Sequence, residues 1–176
     1  VFEFQGADDV TLASLGMTGA YRGVMAATGV DSDRISVESC EIYATVDGIR
    51  FEQTNDAARV VGNRIFGLIS GGEGIGLYGT SATLVDRNGV FASPSATGIV
   101  VRPTGTPQTL IANNEVSGVR YGIDVYAPSG TGTVTLSSNS VRDVTSFGIT
   151  INEGTVAVGN TVRGASTGIS GRAVNR

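Results

Sequence analysis

Two short motifs recur in step along this sequence of 176 residues. The first motif is an Asn, one variable residue and a β-branched residue. It occurs as Asn63-Arg64-Ile65, Asn88-Gly89-Val90, Asn114-Glu115-Val116, Asn139-Ser140-Val141 and Asn160-Thr161-Val162, with Cys40-Glu41-Ile42 and Leu15-Gly16-Met17 at the equivalent place upstream. Successive copies start 21 to 26 residues apart. A fixed period of this length indicates a repeat architecture, and this period constrains the fold more than any other feature.

The second motif is a Gly followed by Ile or Val, and it keeps the same period. It occurs as Gly23-Val24, Gly48-Ile49, Gly74-Ile75, Gly98-Ile99, Gly122-Ile123, Gly148-Ile149 and Gly168-Ile169. Each pair follows the first motif of its own repeat by 8 to 11 residues. Two independent motifs that stay in step do not arise readily by chance, so we read them as two fixed points of one structural coil.

Apolar and polar residues alternate within each repeat, as in Val134-Thr135-Leu136 and Ile149-Thr150-Ile151. This period of two is typical of strands with one buried face, and no segment sustains a helical period. A repeat of this length accommodates three short strands, and stacked repeats pair each strand with its counterpart in parallel. The sequence therefore predicts an all-β parallel solenoid of about seven coils of 20–26 residues, forming one domain over residues 1–176.

Each motif suggests a role in this solenoid. We expect the repeated Asn to occupy a tight corner, because Asn tolerates positive φ, and to bond through its amide to the Asn of adjacent coils. We expect the Gly of the second motif to serve another corner. Cys40 stands in the Asn position, and we interpret it as a buried filler rather than a reactive thiol.

The combined pattern, with Gly-Ile following Asn-x-Ile or Asn-x-Val, resembles the right-handed parallel β-helix repeat. That repeat is shared by pectate lyases, polygalacturonases, alginate epimerases, phage tailspikes and many surface proteins. The resemblance covers residues 35–169, and more weakly the first coil. It implies a single-stranded right-handed β-helix, but it says little about function, because different sites are grafted onto one fold.

Composition excludes several classes of function. The net charge of −4 argues against nucleic acid as a partner, since a basic surface would be expected. The chain has no His and its twelve basic residues are all Arg, so neither imidazole nor lysine amine chemistry is available. No run is long enough to span a membrane. The sequence begins Val1-Phe2-Glu3-Phe4, and we expect a piece of a longer chain that is extracellular, on the cell surface or periplasmic.

The outward-facing positions after each Gly-Ile pair predict a binding surface. With Ile buried, the next residue and the third point outward. The first outward row is Arg50, Gly76, Val100, Asp124 and Thr150, and the second is Glu52, Tyr78, Arg102, Tyr126 and Asn152. Aromatic, Arg, Asp and Asn side chains at strand spacing suit a sugar chain. The opposite interpretation is that these side chains simply cover the sheet, with Asp124 pairing Arg102 across a rung.

Two functions therefore stand. The first is an extracellular module that binds or processes a polysaccharide, in the manner of a lyase, epimerase or hydrolase. Its predicted substrate-binding residues are Arg50, Glu52, Tyr78, Arg102, Asp124, Tyr126 and Asn152. Arg102 would bind a uronate carboxylate, and Arg102, Asp124 and Tyr126 are candidates for catalysis. Segments 66–74, 91–97 and 127–132 are longer loops that could wall a groove beside these residues.

The second function is a structural or adhesive rod, as in a tailspike or surface protein. It is favoured by the lack of a compact Asp cluster, which glycoside hydrolysis by paired carboxylates requires. The sequence therefore leaves open whether the chain is an enzyme. No cofactor is expected, with a calcium ion as a weak alternative, and an oligomer is left open.

Overall fold

A computed structural model describes residues 1–69, 71–104, 108–127 and 133–171 of the chain. Within these residues the regular elements are twenty β-strands and no helix. Each strand pairs in parallel with the equivalent strand of an adjacent coil. This arrangement confirms the predicted all-β parallel solenoid.

The strands form three faces of the solenoid, which we call A, B and C. Face A is a separate sheet with one strand per coil. Its strands are β2 (Thr11–Ala13), β4 (Ser36–Glu38), β6 (Arg59–Val61), β9 (Leu84–Asp86), β12 (Thr109–Ala112), β15 (Val134–Ser137) and β18 (Thr155–Val158). The strands of face A are separated by six complete turns of the described chain, so the solenoid has about six turns, slightly fewer than the seven coils predicted.

Faces B and C belong to a second sheet, because the first two coils run through both without a break. These long strands are β3 (Gly16–Ala26) and β5 (Glu41–Phe51), and β1 (Phe2–Phe4) pairs with the end of β3. In later coils face B has β7 (Arg64–Phe66), β10 (Gly89–Phe91), β13 (Glu115–Ser117), β16 (Ser140–Arg142) and β19 (Thr161–Arg163). Face C has β8 (Glu73–Tyr78), β11 (Thr97–Arg102), β14 (Tyr121–Val125), β17 (Phe147–Ile151) and β20 (Thr167–Gly171).

The core is built from columns of apolar side chains, one residue per strand and coil. The column on face C is Ile49, Ile75, Ile99, Ile123 and Ile149, all essentially inaccessible to solvent. The register pairs these residues directly, as in Ile75 with Ile99 and Ile99 with Ile123. Since the alternation turns every second residue toward the core, it also fixes which residues of face C point away from the core.

The predicted Asn ladder is present, and it is buried except at its last member, Asn160, which is partly buried. The amide nitrogen of each Asn donates to the amide oxygen of the next, over Asn63, Asn88, Asn114, Asn139 and Asn160, at 2.8–3.0 Å. The same amide nitrogen also donates to a main-chain carbonyl of the face A strand one coil earlier, as from Asn88 to Val60 at 2.8 Å. Cys40 continues the column, buried, and its main-chain N–H donates to Asn63 Oδ1 at 2.9 Å.

The expected backbone conformation of the ladder Asn was wrong. The left-handed residue of this corner lies one position earlier in every coil, with φ between 53° and 67° at Ser39, Gly62, Arg87, Asn113, Ser138 and Gly159. The ladder Asn instead contributes its buried amide, which satisfies main-chain groups that the corner leaves without partners.

The predicted role of the Gly in the second motif was also wrong. Gly98 lies within a strand and outside the left-handed region. A Cβ there would come within 2.3 Å of Val116 Cγ1 and 2.5 Å of the carbonyl oxygen of Gly122. The same two collisions recur at Gly48, Gly74 and Gly122. The motif requires Gly because faces B and C approach too closely there for any side chain.

Candidate functional site

The first predicted outward row lies on face C in the expected register, and in the second row Glu52, Tyr126 and Asn152 each directly follow a strand of face C. Arg50 pairs with Gly76, Gly76 with Val100, and Val100 with Asp124. In the second row Tyr78 is the direct neighbour of Arg102. We call the outward residues of face C from Arg50 to Tyr126 the face C strip.

Arg102, Asp124 and Tyr126 form one cluster of the strip. Arg102 Nη2 donates to Asp124 Oδ2 at 2.5 Å, and Nη1 donates to the main-chain oxygen of Asp124 at 3.1 Å. The guanidinium carbon lies 5.9 Å from the centre of the Tyr126 ring, which is 59% exposed. The pairing of Arg102 with Asp124 confirms the contact expected across a rung, and a ligand carboxylate would have to compete with Asp124 for this arginine.

Arg50, Glu52 and Tyr78 form a second cluster in the two preceding coils. Arg50 Nε donates to Glu52 Oε1 at 2.8 Å, and its guanidinium lies 4.5 Å from the centre of the Tyr78 ring. Thr28 donates to Glu52 Oε2 through its hydroxyl at 2.8 Å and its main-chain N–H at 3.1 Å. Burial alone would raise the pKa of Glu52, but the bonds from Thr28 and Arg50 outweigh it and lower that pKa.

Three further charged residues belong to this cluster, and the sequence analysis did not include them. Asp47 is almost fully buried, and its Oδ2 accepts from Arg22 Nε at 2.8 Å. Glu73 pairs with Asp47 in register, and Nη1 of Arg50 lies 3.6 Å from the Asp47 carboxylate and 3.7 Å from that of Glu73. A signal was available, since Asp47 and Glu73 stand immediately before the Gly of the second motif.

The surroundings of the Glu73 side chain disfavour its ionised form. Its Oε1 accepts the hydroxyl of Tyr78, while its buried Oε2 has no hydrogen-bond partner among the described residues. Both side chains lean over Gly76, where a Cβ would lie 2.6 Å from Glu73 Oε2. Burial is the main cause that raises the pKa of Glu73. The pKa of Tyr78 is raised first by burial and then by its hydrogen bond to Glu73.

Other candidates serve the backbone. Asn152 Oδ1 accepts the main-chain N–H of Ala127 at 2.7 Å, so this side chain supports a corner. Asp33 Oδ1 accepts the N–H of Asp56 at 2.7 Å, and Asp56 Oδ1 accepts the N–H of Ser81 at 2.6 Å. Each of these two Asp carboxylates thus bonds to the main chain of the next coil.

No group of three or more His, Cys, Asp or Glu side chains in the described residues is arranged to hold a metal ion. We therefore assign no residue to the calcium ion that was considered as an alternative. In the same part of the chain no helix has the length and apolar character needed to cross a membrane.

The two earlier loops of the expected groove lie at one corner of the solenoid. Residues 67–69 and 71–72 in one coil, and residues 92–96 in the next, lie between face B and face C. The third segment, 127–132, falls almost entirely outside the described residues. A shallow depression of about 440 Å³ lies elsewhere, on face B and its corner with face A.

Comparison with known families agrees with this architecture. A family model described as "Right handed beta helix region" matches residues 22–173. The chain therefore belongs to the right-handed β-helix family. Comparisons with curated proteins and with solved structures gave no match.

Proposed function

We propose that this chain is a polysaccharide-binding β-helix module, working outside the cell, whose ligand lies along the face C strip. The β-helix fold itself supports a polysaccharide-related or a structural module. The proposal for a polysaccharide depends on the side chains of the strip.

The observation that carries the proposal is the arrangement of Tyr126 beside the Arg102–Asp124 pair. A sugar ring offers C–H groups to an aromatic face and hydroxyls to polar groups at its edge. The exposed ring of Tyr126 supplies the apolar surface. Arg102 supplies N–H donors and Asp124 supplies acceptors, and both side chains are about one-third exposed.

The pairing favours hydroxyl groups as the ligand atoms at this position. Arg102 is neutralised by Asp124 at 2.5 Å, so a uronate carboxylate at the same place would be repelled by Asp124. A vicinal diol can instead accept from the guanidinium and donate to the carboxylate. Tyr78 and Arg50 lie one and two coils away along the strip and would extend the contact to further sugar residues.

If the module also processes its ligand, the raised pKa of Glu73 makes this residue a candidate proton donor beside the strip. Arg102, Asp124 and Tyr126 remain the candidates that would touch the sugar. A lyase would leave unsaturated ends that absorb short-wavelength ultraviolet light, and a hydrolase would leave new reducing ends.

A non-catalytic rod is the second candidate, and one observation favours it. Both arginines of the strip, Arg50 and Arg102, already have carboxylate partners. Side chains that only cover an exposed sheet would show the same pairing.

Affinity electrophoresis through gels containing neutral or acidic polysaccharides tests the proposal. We expect retardation by at least one polymer, and we expect the double variant Arg102→Ala/Tyr126→Ala to lose it. The matched control is Arg59→Ala/Tyr21→Ala, which removes an exposed ion-paired arginine and an exposed tyrosine away from the strip. Equal loss in both double variants, or no retardation by any polymer, would favour the rod.

A further inference from the structure

Face B carries a column of stacked aromatic rings on its outer side. Tyr43, Phe66 and Phe91 are direct neighbours in register. Their ring centres are 6.2 Å and 5.5 Å apart, with the planes within 24° of parallel. Because the rings stack on each other, their faces are largely occupied, and they form a continuous apolar wall rather than a set of open platforms.

Arg64 lies against this wall and makes no ion-pair contact with a carboxylate of the described residues. Its guanidinium carbon is 5.3 Å from the centre of the Phe66 ring and 6.0 Å from that of Phe91. Its register neighbours are Glu41 and Gly89, yet no carboxylate of the described residues lies within 4.0 Å of it. The arginines of face C, in contrast, are neutralised within the strip.

Arg64 borders the shallow depression of about 440 Å³. Arg64, Arg87, Phe91 and Glu115 line it, with glycines and Asn residues of the ladder corner between them. Gly89 has no side chain to fill the space between Arg64 and Glu115, and the Phe91 ring leans over it. This volume falls within the range of small-molecule sites, roughly 300–1,000 Å³.

The charged side chains around the depression differ in whether they have an ion-pair partner. Glu115 is held by Arg142 at 2.8 Å, and Arg87 lies 3.2 Å from Asp86, which also accepts from Asn113 at 2.8 Å. Arg64 is thus the cation of the depression that lacks a carboxylate partner among the described residues. The nearby rings of Phe66 and Phe91 limit the positions open to the Arg64 guanidinium, whose N–H groups can donate to a carboxylate or sulfate.

We propose that this depression is a second subsite, which binds an acidic group of a polysaccharide through Arg64, with Phe91 packing on the sugar. The proposal rests on the proposed function for its ligand class but concerns a different face of the solenoid. It assigns acidic groups to face B and hydroxyl groups to the Arg102–Asp124 pair of face C. With a net charge of −4 on the chain, attraction of an acidic polymer depends on this local charge, so binding weakens as salt rises.

The test is affinity electrophoresis in gels containing polygalacturonate, dextran sulfate or neutral dextran, at low and at physiological salt. The variant Arg64→Gln removes the charge and keeps most of the stem. The matched control is Arg120→Gln, because Arg120 is also exposed, stacks on an aromatic ring at 5.0 Å and has no carboxylate within 4.0 Å among the described residues. Circular dichroism checks that both variants keep the β-helix.

We expect Arg64→Gln to weaken retardation by an acidic polymer about tenfold, the effect of losing a charge-assisted hydrogen bond, while Arg120→Gln does not. Stronger retardation in polygalacturonate than in dextran sulfate would identify the group as a carboxylate, and the reverse a sulfate. Equal weakening in both variants, or no retardation by either acidic polymer, would overturn the subsite.

The two proposals fail separately. If Arg102→Ala/Tyr126→Ala abolishes binding and Arg64→Gln leaves it unchanged, the face C site stands and the subsite is refuted. If Arg64→Gln weakens binding of the acidic polymers while Arg102→Ala/Tyr126→Ala changes the retardation by no polymer, acidic or neutral, the subsite stands and the site on face C is refuted.

Discussion

Replacing Asn114 by Ala tests the structural role of the Asn ladder. Asn114 is buried, and its amide takes part in four hydrogen bonds. Nδ2 donates to Val85 O at 3.0 Å and to Asn139 Oδ1 at 2.9 Å. Oδ1 accepts from the main-chain N–H of Asn88 at 2.9 Å and from its amide at 3.0 Å. The variant leaves these four partner groups short of one bond each, in the buried interior of the solenoid.

The expected cost follows from those partners. A buried polar group that loses its partner destabilises the fold by about 1–3 kcal/mol. Some of the four groups keep a second partner, so we expect the free energy of unfolding to fall by about 3–5 kcal/mol. Urea unfolding followed by circular dichroism measures this change through the midpoint and slope of the transition.

The adjacent residue provides the control. Asn113 is exposed and has the left-handed backbone of the corner, with φ of 55°. Asn113→Gly removes an amide of the same size while keeping that conformation easy to adopt, so we expect a change below about 1 kcal/mol. If Asn114→Ala costs no more than Asn113→Gly, the ladder does not stabilise the solenoid and our reasoning about the corner is wrong.

Three further outcomes are expected. Gly98→Ala should destabilise the chain by about 3 kcal/mol or more, because the new Cβ would collide with Val116. The control Gly168→Ala should be nearly neutral in the same urea assay, because a Cβ there has no atom within 4 Å. Tyr78→Phe should cost about 1–2 kcal/mol at neutral pH, because Glu73 loses its hydroxyl donor; an unchanged midpoint would contradict that bond. Stability should fall as pH rises from the unfolded pKa of Glu73 through its raised folded pKa, because the folded state holds the proton more tightly. Urea midpoints measured across pH should show this decline in the parent chain and not in Glu73→Gln. A decline that persists unchanged in the variant would refute the prediction.

The fold was predictable because every coil repeats the same constraint. A period-two alternation between two fixed motifs determines which residues enter the core, and the register of face C follows from it. The conformation of the corner was harder to predict. Ser39, Arg87 and Ser138 adopt the left-handed backbone although nothing in their residue type requires it. They do so because the following side chain must turn inward to reach the ladder.

The face C strip was predictable in its residues but not in its electrostatics. The alternation placed Arg102, Asp124 and Tyr126 together, since it fixes direction and spacing. It could not show that one oxygen of Glu73 has no partner among the described residues, because that depends on how Tyr78 and Glu73 lie over Gly76. Contacts between long side chains depend on rotamers, which a residue pattern does not specify.

The central claim is that a polysaccharide binds along face C, and the side chains themselves can report it. Since the chain's basic residues are all Arg, a nitrogen–proton correlation spectrum of the guanidinium Nε–H groups contains few signals, and single Arg→Gln variants assign them. With a saturating oligosaccharide from a polymer that retards the chain, we predict that the Arg102 signal shifts most, followed by Arg50. A spectrum in which both signals stay unchanged while binding is complete would contradict the account.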